Sequence, residues 1–541
     1  MRTSMSIRTA LVATLVSRAV ADCSFASIQA LLPSIASVDF VFWQAGGSTF
    51  SVPNGDIAYP TSPTNLTAHC AVQIRVTNGT SQYGFGMFLP DNWNGRFLYL
   101  TDMARAVGNG GYAGGINWLD MGGGLGYGFA VMSTDTGHNS TAFDGTWAYG
   151  QQDKLKDWGY RAMHGSTVLG KQLTQSYYGY RSKYSYYRGC STGGRQGIRD
   201  IQLYPEDFDG VVAGAPAWFL THMSPFVIKA GTWNLPVNGS THIPDNLFPV
   251  INAEVLRQCD AVDGVKDDIL SDPQACNLDM DALLCTPNLN QSECLTAPQL
   301  TTLFKIYHDY FETNDTWVFP HYWKGSELGW GLVFGAPEPG SLGVDYVTSF
   351  MQYGPNWKWQ DYDYSIVENA ERLRPGNATA DDYNLEPFKK HGGKLLMYHG
   401  MADQLIPTGS SLYLYSQILR ELAPRGIELD DFFRFFLVPG MGHCSGNFAP
   451  GLAPWYFAGG SQVLNPGVYG VPGFRDAEHD VLLAMMQWVE HGVAPNQIIA
   501  TTWHNDTTQD TVLRQRPLCM YPKQQKYIGG NVDEAASWSC A

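Results

Sequence analysis

Residues 186–197 read YYRGCSTGGRQG, and inside them Gly189-Cys190-Ser191-Thr192-Gly193 spells G-x-S-x-G, the pattern of a serine exposed on a sharp strand-to-helix turn. With 58 glycines and 33 serines in 541 residues, chance supplies roughly 0.4 copies of that pattern, so its surroundings decide what it means. They agree with it. Tyr184 to Arg188 is a β-rich run leading in, and Gly193 to Leu203 is helix-compatible leading out. That order sets a hydroxyl at a strand's end beside the positive end of a helix. Cys190, directly against the serine, is the unusual feature: a thiol there would compete with the nucleophile unless it is tied up in a bond.

Similar apolar runs recur at Arg96 to Leu100, Phe129 to Met132, Gly210 to Ala213, Lys394 to Tyr398 and Phe432 to Val438. A helix-length stretch lies at Gln152 to Tyr178, where Trp158, Met163, Val168, Leu169 and Leu173 recur at near-helical spacing. Alternating strand and helix predict an α/β sheet. The segment 206–391 breaks that rhythm with clustered cysteines, dense Asp, prolines and tryptophans, and reads as an insertion between a first part (22–205) and a second part (392–541) of one catalytic domain.

Composition narrows the function. Fifty acidic against 34 basic side chains give a formal charge of −16, which excludes the basic footprint that nucleic acid and anionic membranes require. Arg2 and Arg8, the apolar run Ala10 to Val16 and the triplet Ala19-Val20-Ala21 read as a signal peptide over residues 1–21, hence a secreted, extracellular protein. Ten cysteines then imply up to five disulfides, and eight N-x-S/T sequons, at Asn65, Asn78, Asn139, Asn238, Asn290, Asn314, Asn377 and Asn505, suit a glycoprotein. Cys23 with Cys70, Cys285 with Cys294, and Cys519 with Cys540 read as staples.

A serine hydroxyl needs a base, and the base an orienting carboxylate. In α/β-hydrolase order both follow the serine. Asp403 stands just beyond the run 394–398, and His443 beyond the run 432–438. Asp431 precedes its strand and should lie at the wrong end of the sheet. His399 precedes the candidate acid and has no cysteine beside it. His443 does: Cys444 follows it as Cys190 precedes Ser191. A disulfide would hold the two cysteine Cα atoms about 5.5 Å apart, and one residue on each side adds at most about 3.8 Å, so serine and histidine come within reach of each other. For the oxyanion, the Thr192 N–H is one donor, and Gly111, in the glycine-rich stretch after the run 96–100, is a candidate for the other.

This Cys-Ser, Asp, His-Cys arrangement resembles the tannase and feruloyl esterase family, together with Trp158-Gly159-Tyr160-Arg161-Ala162, Ala213-Gly214-Ala215-Pro216-Ala217, Tyr398-His399-Gly400 and Pro439-Gly440-Met441-Gly442-His443-Cys444. The resemblance implies an α/β-hydrolase fold with an inserted lid domain, Ser191 as nucleophile, His443 as base and Asp403 as acid. It implies no organic cofactor. The substrate it implies is a small aromatic ester or feruloylated oligosaccharide of plant cell-wall xylan, with galloyl esters of tannins or another aromatic ester as alternatives. It also implies a structural Ca2+ in the lid at Asp260, Asp263, Val265, Asp267 and Ile269, fixed by a Cys259–Cys276 bridge. Spacing alone leaves that loop open between a cation site and a solvated acidic turn.

Overall fold

The computed structural model describes residues 21–101, 110–287, 290, 292–462 and 470–541. Of the segment 1–21 read as a signal, only Ala21 falls among them. Nine strands form one sheet: β1 (Ala36–Gln44), β2 (His69–Asn78), β3 (Ser81–Pro90), β4 (Arg96–Thr101), β5 (Ala130–Thr134), β6 (Tyr184–Cys190), β7 (Gly210–Gly214), β10 (Lys394–Gly400) and β11 (Phe433–Val438). Their order is β1-β2-β3-β5-β4-β6-β7-β10-β11. β1, β2, β3 and β5 pair antiparallel in sequence, and from β5 to β11 every pairing is parallel. Apart from the extra edge strand β1, this is the twisted sheet of the α/β-hydrolase type, with the β4/β5 crossover and helices on both faces.

The parallel strands are apolar throughout because both faces are covered. Side chains alternate between two cores: Tyr187, Val211, Ala213, Leu395, Met397 and Phe435 on one face, and Tyr186, Val212, Leu396, Tyr398 and Phe436 on the other. Each buried large apolar side chain contributes about 1.5–3 kcal/mol, so these strands anchor whatever hangs from their ends. The stretch Gln152 to Tyr178 is helical along its length, with a π-type turn at Asp157–Arg161. The guanidinium of Arg195 stacks over Trp158 at 4.2 Å in that turn.

The insertion starts later than the sequence suggested. β7 lies inside the 206–391 segment yet pairs with β6 and β10 in the central sheet, so the inserted portion runs between Gly214 and Lys394. Five consecutive buried residues at 210–214 belong to the core, and the break in composition at Pro205 marks only the loop before them. The insertion carries helices at Leu220–Trp233, Phe248–Cys259, Ala297–Ile306 and Ser365–Leu373 and a small hairpin, β8 (Tyr310–Phe311) with β9 (Trp317–Phe319). Its core is aromatic, with Phe226, Phe319, Tyr322, Trp330 and Phe334 in mutual contact. Beyond the main sheet, β12 (Gln497–Trp503) pairs with β13 (Val512–Cys519), and β14 (Gln525–Tyr527) with β15 (Trp538–Cys540). All ten cysteines are paired: 23–70, 190–444, 259–276, 285–294 and 519–540.

Candidate active site

Ser191, Asp403 and His443 all stand just past the carboxyl ends of parallel strands, β6, β10 and β11, where open α/β sheets place their sites. Ser191 caps the helix Thr192–Leu203 with φ 61° and ψ −122°, a backbone state that a non-glycine residue holds only under constraint. The constraint is close packing. A Cβ on Gly194 would sit 2.4 Å from the carbonyl oxygen of Gly214, so helix and strand approach here only because residue 194 has none. The Ser191 N–H donates to the Gly214 carbonyl at 3.0 Å and its carbonyl accepts from the Ala217 N–H at 3.0 Å.

Asp403 is 1% exposed. Its Oδ2 accepts from His443 Nδ1 at 2.8 Å and from His399 Nε2 at 3.0 Å. Its Oδ1 accepts from the N–H groups of Leu405 and Ile406, both at 2.8 Å. Burial by itself pushes this carboxyl up, but the His443 charge and the hydrogen bonds from His399 and His443 outweigh it and hold the group well below the usual carboxylate range. His443 is further placed by its own N–H, which donates to Gln404 Oε1 at 3.1 Å. With Nδ1 engaged, Nε2 is the nitrogen left for the serine. The Cys190–Cys444 bridge brings the two chain segments to a Cα separation of 6.0 Å across 254 residues of sequence.

Ser191 and His443 line one cavity. Gly111, Tyr112, Ala142, Phe143 and Thr192 face it from the catalytic part, Leu220, Met223, Ser224 and Val227 from the first lid helix, and Leu342, Leu405 and Ile406 close it. Thr192 Oγ1 donates to the Gly111 carbonyl at 2.9 Å, so the two candidate oxyanion residues are directly joined. Gly111 has φ +56°, and a Cβ there would lie 2.1 Å from the Ala142 carbonyl oxygen.

The structure therefore gathers Ser191, His443, Asp403, Thr192 and Gly111 in one place. Sequence reasoning missed His399 as a partner of Asp403, since it treated this histidine only as a rival base, and missed the lid residues 220–227. His399 is four residues before Asp403, but it reaches the carboxylate only through a tight turn that also brings Leu405 and Ile406 back onto it, which spacing does not announce.

In the loop 260–269, Asp260 Oδ1 accepts from the Asp267 N–H at 3.3 Å, and Asp263 accepts from the N–H groups of Val265 at 3.0 Å and Ser271 at 3.3 Å. Arg516 donates to Asp267 Oδ2. Asp260 Oδ2 and Asp267 Oδ1 are buried without a hydrogen-bond partner, and burial pushes the carboxyls of Asp260 and Asp263 up. Uncompensated carboxylate oxygens on one short loop are what a hard cation takes, and ligands on opposite sides of calcium lie up to about 5 Å apart. The two unpaired oxygens suit such an ion, with Asp267 Oδ2 already paired to Arg516 and 3.6 Å from Arg514.

A family model described as tannase and feruloyl esterase matches residues 68–322 and 360–541. A probable feruloyl esterase B-2 of Aspergillus oryzae is 34% identical, covering 94% of this chain and 93% of its own. The crystal structure of an esterase from Aspergillus oryzae superposes with a TM-score of 0.87 at 34% identity, covering 96% of this chain and 99% of the other. That of feruloyl esterase B from Aspergillus oryzae gives 0.85 at 31%, covering 95% and 100%.

Proposed function

The chain belongs to the tannase and feruloyl esterase family, and on that premise we propose that it hydrolyses feruloyl and related hydroxycinnamoyl esters of plant cell-wall sugars with Ser191, His443 and Asp403 as its catalytic triad. It is a carboxylic ester hydrolase. The observation that carries the proposal is the cavity shared by Ser191 and His443, with His443 held by Asp403 at 2.8 Å and fastened beside the serine through Cys190–Cys444.

Ser191 Oγ attacks the ester carbonyl while His443 Nε2 takes its proton. Asp403 fixes the imidazole tautomer and stabilises the imidazolium. The carbonyl oxygen becomes an oxyanion facing the Thr192 N–H at the helix N-terminus, with the Gly111 backbone beside it as the second donor. The imidazolium then protonates the departing sugar alkoxide, leaving an acyl-enzyme on Ser191. Water, deprotonated by the same histidine, releases the acid.

The lining supports a feruloyl over a galloyl group. Leu220, Met223, Val227, Leu342, Leu405 and Ile406 offer no hydrogen bonds from their side chains, the Tyr112 hydroxyl already donates to the Leu342 carbonyl at 2.5 Å, and Ser224 is the one hydroxyl that the helix Leu220–Trp233 contributes to the lining. A galloyl ring would bring three hydroxyls, each costing about 1–3 kcal/mol if buried unpaired. A feruloyl ring brings one hydroxyl and an apolar methoxy group.

A calcium ion in the lid would be held by the carboxylates of Asp260, Asp263 and Asp267 and the carbonyls of Val265 and Ile269, supplying structural cross-linking beside the Cys259–Cys276 bridge. Export supports the setting: five disulfides and eight sequon asparagines that are all exposed suit a secreted glycoprotein. No helix among the described residues is long and apolar enough to cross a membrane.

The test is a comparison of methyl ferulate, methyl caffeate and methyl gallate. We expect kcat/KM for methyl ferulate to exceed that for methyl gallate by at least about tenfold, which two further unpaired hydroxyls would produce, and that for methyl caffeate, with one hydroxyl fewer than the gallate, to fall between them. Faster cleavage of methyl gallate would move the assignment to tannin esters, and failure on all three would overturn the aromatic-ester reading.

A further inference from the structure

Away from the cavity, the far end of the helix that begins at Thr192 carries a second polar cluster that ester hydrolysis does not use. Asp200 lies on that helix, Asp207 in the loop before β7, and His164 on the helix Ala162–Tyr178. One ligand atom from each of the three lies within 4.8 Å of the others, and among the described residues this is the group of three or more histidine, cysteine or carboxylate ligands gathered so closely.

Asp200 is 3% exposed, and its Oδ2 is buried with no hydrogen-bond partner. An unpaired carboxylate oxygen in the interior costs about 1–3 kcal/mol or more unless something fills the place opposite it. Asp207 is 5% exposed, and its Oδ2 faces His164 Nδ1 at 2.7 Å. The His164 ring is stacked on Tyr204 at 3.5 Å, which fixes its plane. Its side chain is 30% exposed, so solvent reaches the group from one side. Lys171, which donates to the Asp207 carbonyl, and Glu206 are the other charged groups facing Asp200. Three carboxylates against one ammonium and one imidazole leave the cluster short of positive charge.

We propose that His164, Asp200 and Asp207 form a binding site for a divalent transition-metal ion of the zinc class, with water completing the coordination on the exposed side. One imidazole with two carboxylates is a donor set for zinc, manganese or cobalt, whereas the all-oxygen loop of the lid suits calcium. Tetrahedral zinc ligands at about 2.0–2.2 Å from the ion stand about 3.3–3.6 Å apart, so the His164–Asp207 pair, at 2.7 Å, opens by roughly 0.6–0.9 Å and Asp200 closes in to complete the set. Metal entry displaces the proton shared between His164 and Asp207 to solvent. The ion would tie the nucleophile's helix to its neighbour at the end opposite Ser191, so its effect is on stability.

The experiment titrates zinc into the full chain, stripped with chelator and then kept in excess calcium so that the lid loop is filled. One saturable zinc equivalent is expected, with a rise in Tm. Asp200→Asn and His164→Gln should each weaken binding at least tenfold and remove the Tm rise. His321→Gln, which alters a separate His–Asp pair closed at 2.6 Å between His321 and Asp309, should leave it unchanged. Absence of a saturable equivalent, undiminished binding in Asp200→Asn, or equal loss in His321→Gln would overturn the proposal.

Discussion

Asp403 and Asp200 are both interior aspartates with histidine nearby, on the same sheet-and-helix framework, and they are opposites. Asp403 receives four hydrogen bonds, two from imidazoles and two from backbone N–H groups. Its carboxyl is held well below the usual range despite complete burial. Asp200 has an oxygen with no donor, and burial, with the Asp207 charge added, pushes its carboxyl well above that range. Burial is common to both and always opposes the charge. What separates them is the supply of donors, which the turn at 403–406 provides and the helix interior at Asp200 does not.

The contrast can be broken most forcefully at Asp403. Asp403→Asn keeps the shape but removes the charge that orients His443, and kcat on methyl ferulate should fall about 10³–10⁴-fold. A loss under tenfold would mean His443 is oriented by other groups. Next in size is the clamp: Cys190→Ala with Cys444→Ala should lower kcat about 10–100-fold, since a displacement of about an ångström suffices for that. Cys519→Ala with Cys540→Ala, compared at matched stability, should leave it within about twofold. His399→Leu removes one of the four donors and should cost kcat about tenfold, with KM little changed. Asp200→Asn has no bond from Oδ2 to lose, and kcat/KM should stay within about threefold of the parent.

The smallest effect is on acid stability. Because folding lowers the Asp403 pKa, the stability it confers is present above the unfolded carboxylate value near 3.9 and is lost as pH falls below it. The stability gap between the parent and Asp403→Asn, measured by denaturant unfolding, should therefore be constant from about pH 7 to 5 and narrow below about pH 4. A gap that widens on acidification would reverse the sign of the Asp403 assignment.

The gathering of Ser191, Asp403 and His443 was legible because Cys190-Ser191 and His443-Cys444 each place a disulfide cysteine against a residue of the proposed triad. The six strands read from apolar runs are all present, since strands buried on both faces keep unbroken hydrophobic sequence. β1 and β2 were not read, because strands near an edge mix polar and apolar residues, as their burial shows; β3 is buried at nine of its ten positions, but Gly84 and Gly86 interrupt its apolar run. The insertion was begun too early because composition changes at the loop before β7 and not at the strand's end. His399 and the lid side of the cavity were illegible for a further reason. Their roles depend on a turn at Asp403 and on the docking of Leu220–Trp233, neither of which local spacing encodes.

The central claim is that Ser191 is the nucleophile of a feruloyl-ester hydrolase. Its most direct test is methyl ferulate hydrolysis by the purified parent and Ser191→Ala proteins, with folding of both checked by their Tm. A loss of kcat/KM of about 10⁴-fold or more at unchanged Tm is expected. Activity retained at the parent level would contradict the assignment and return the fold to a search for another reacting group.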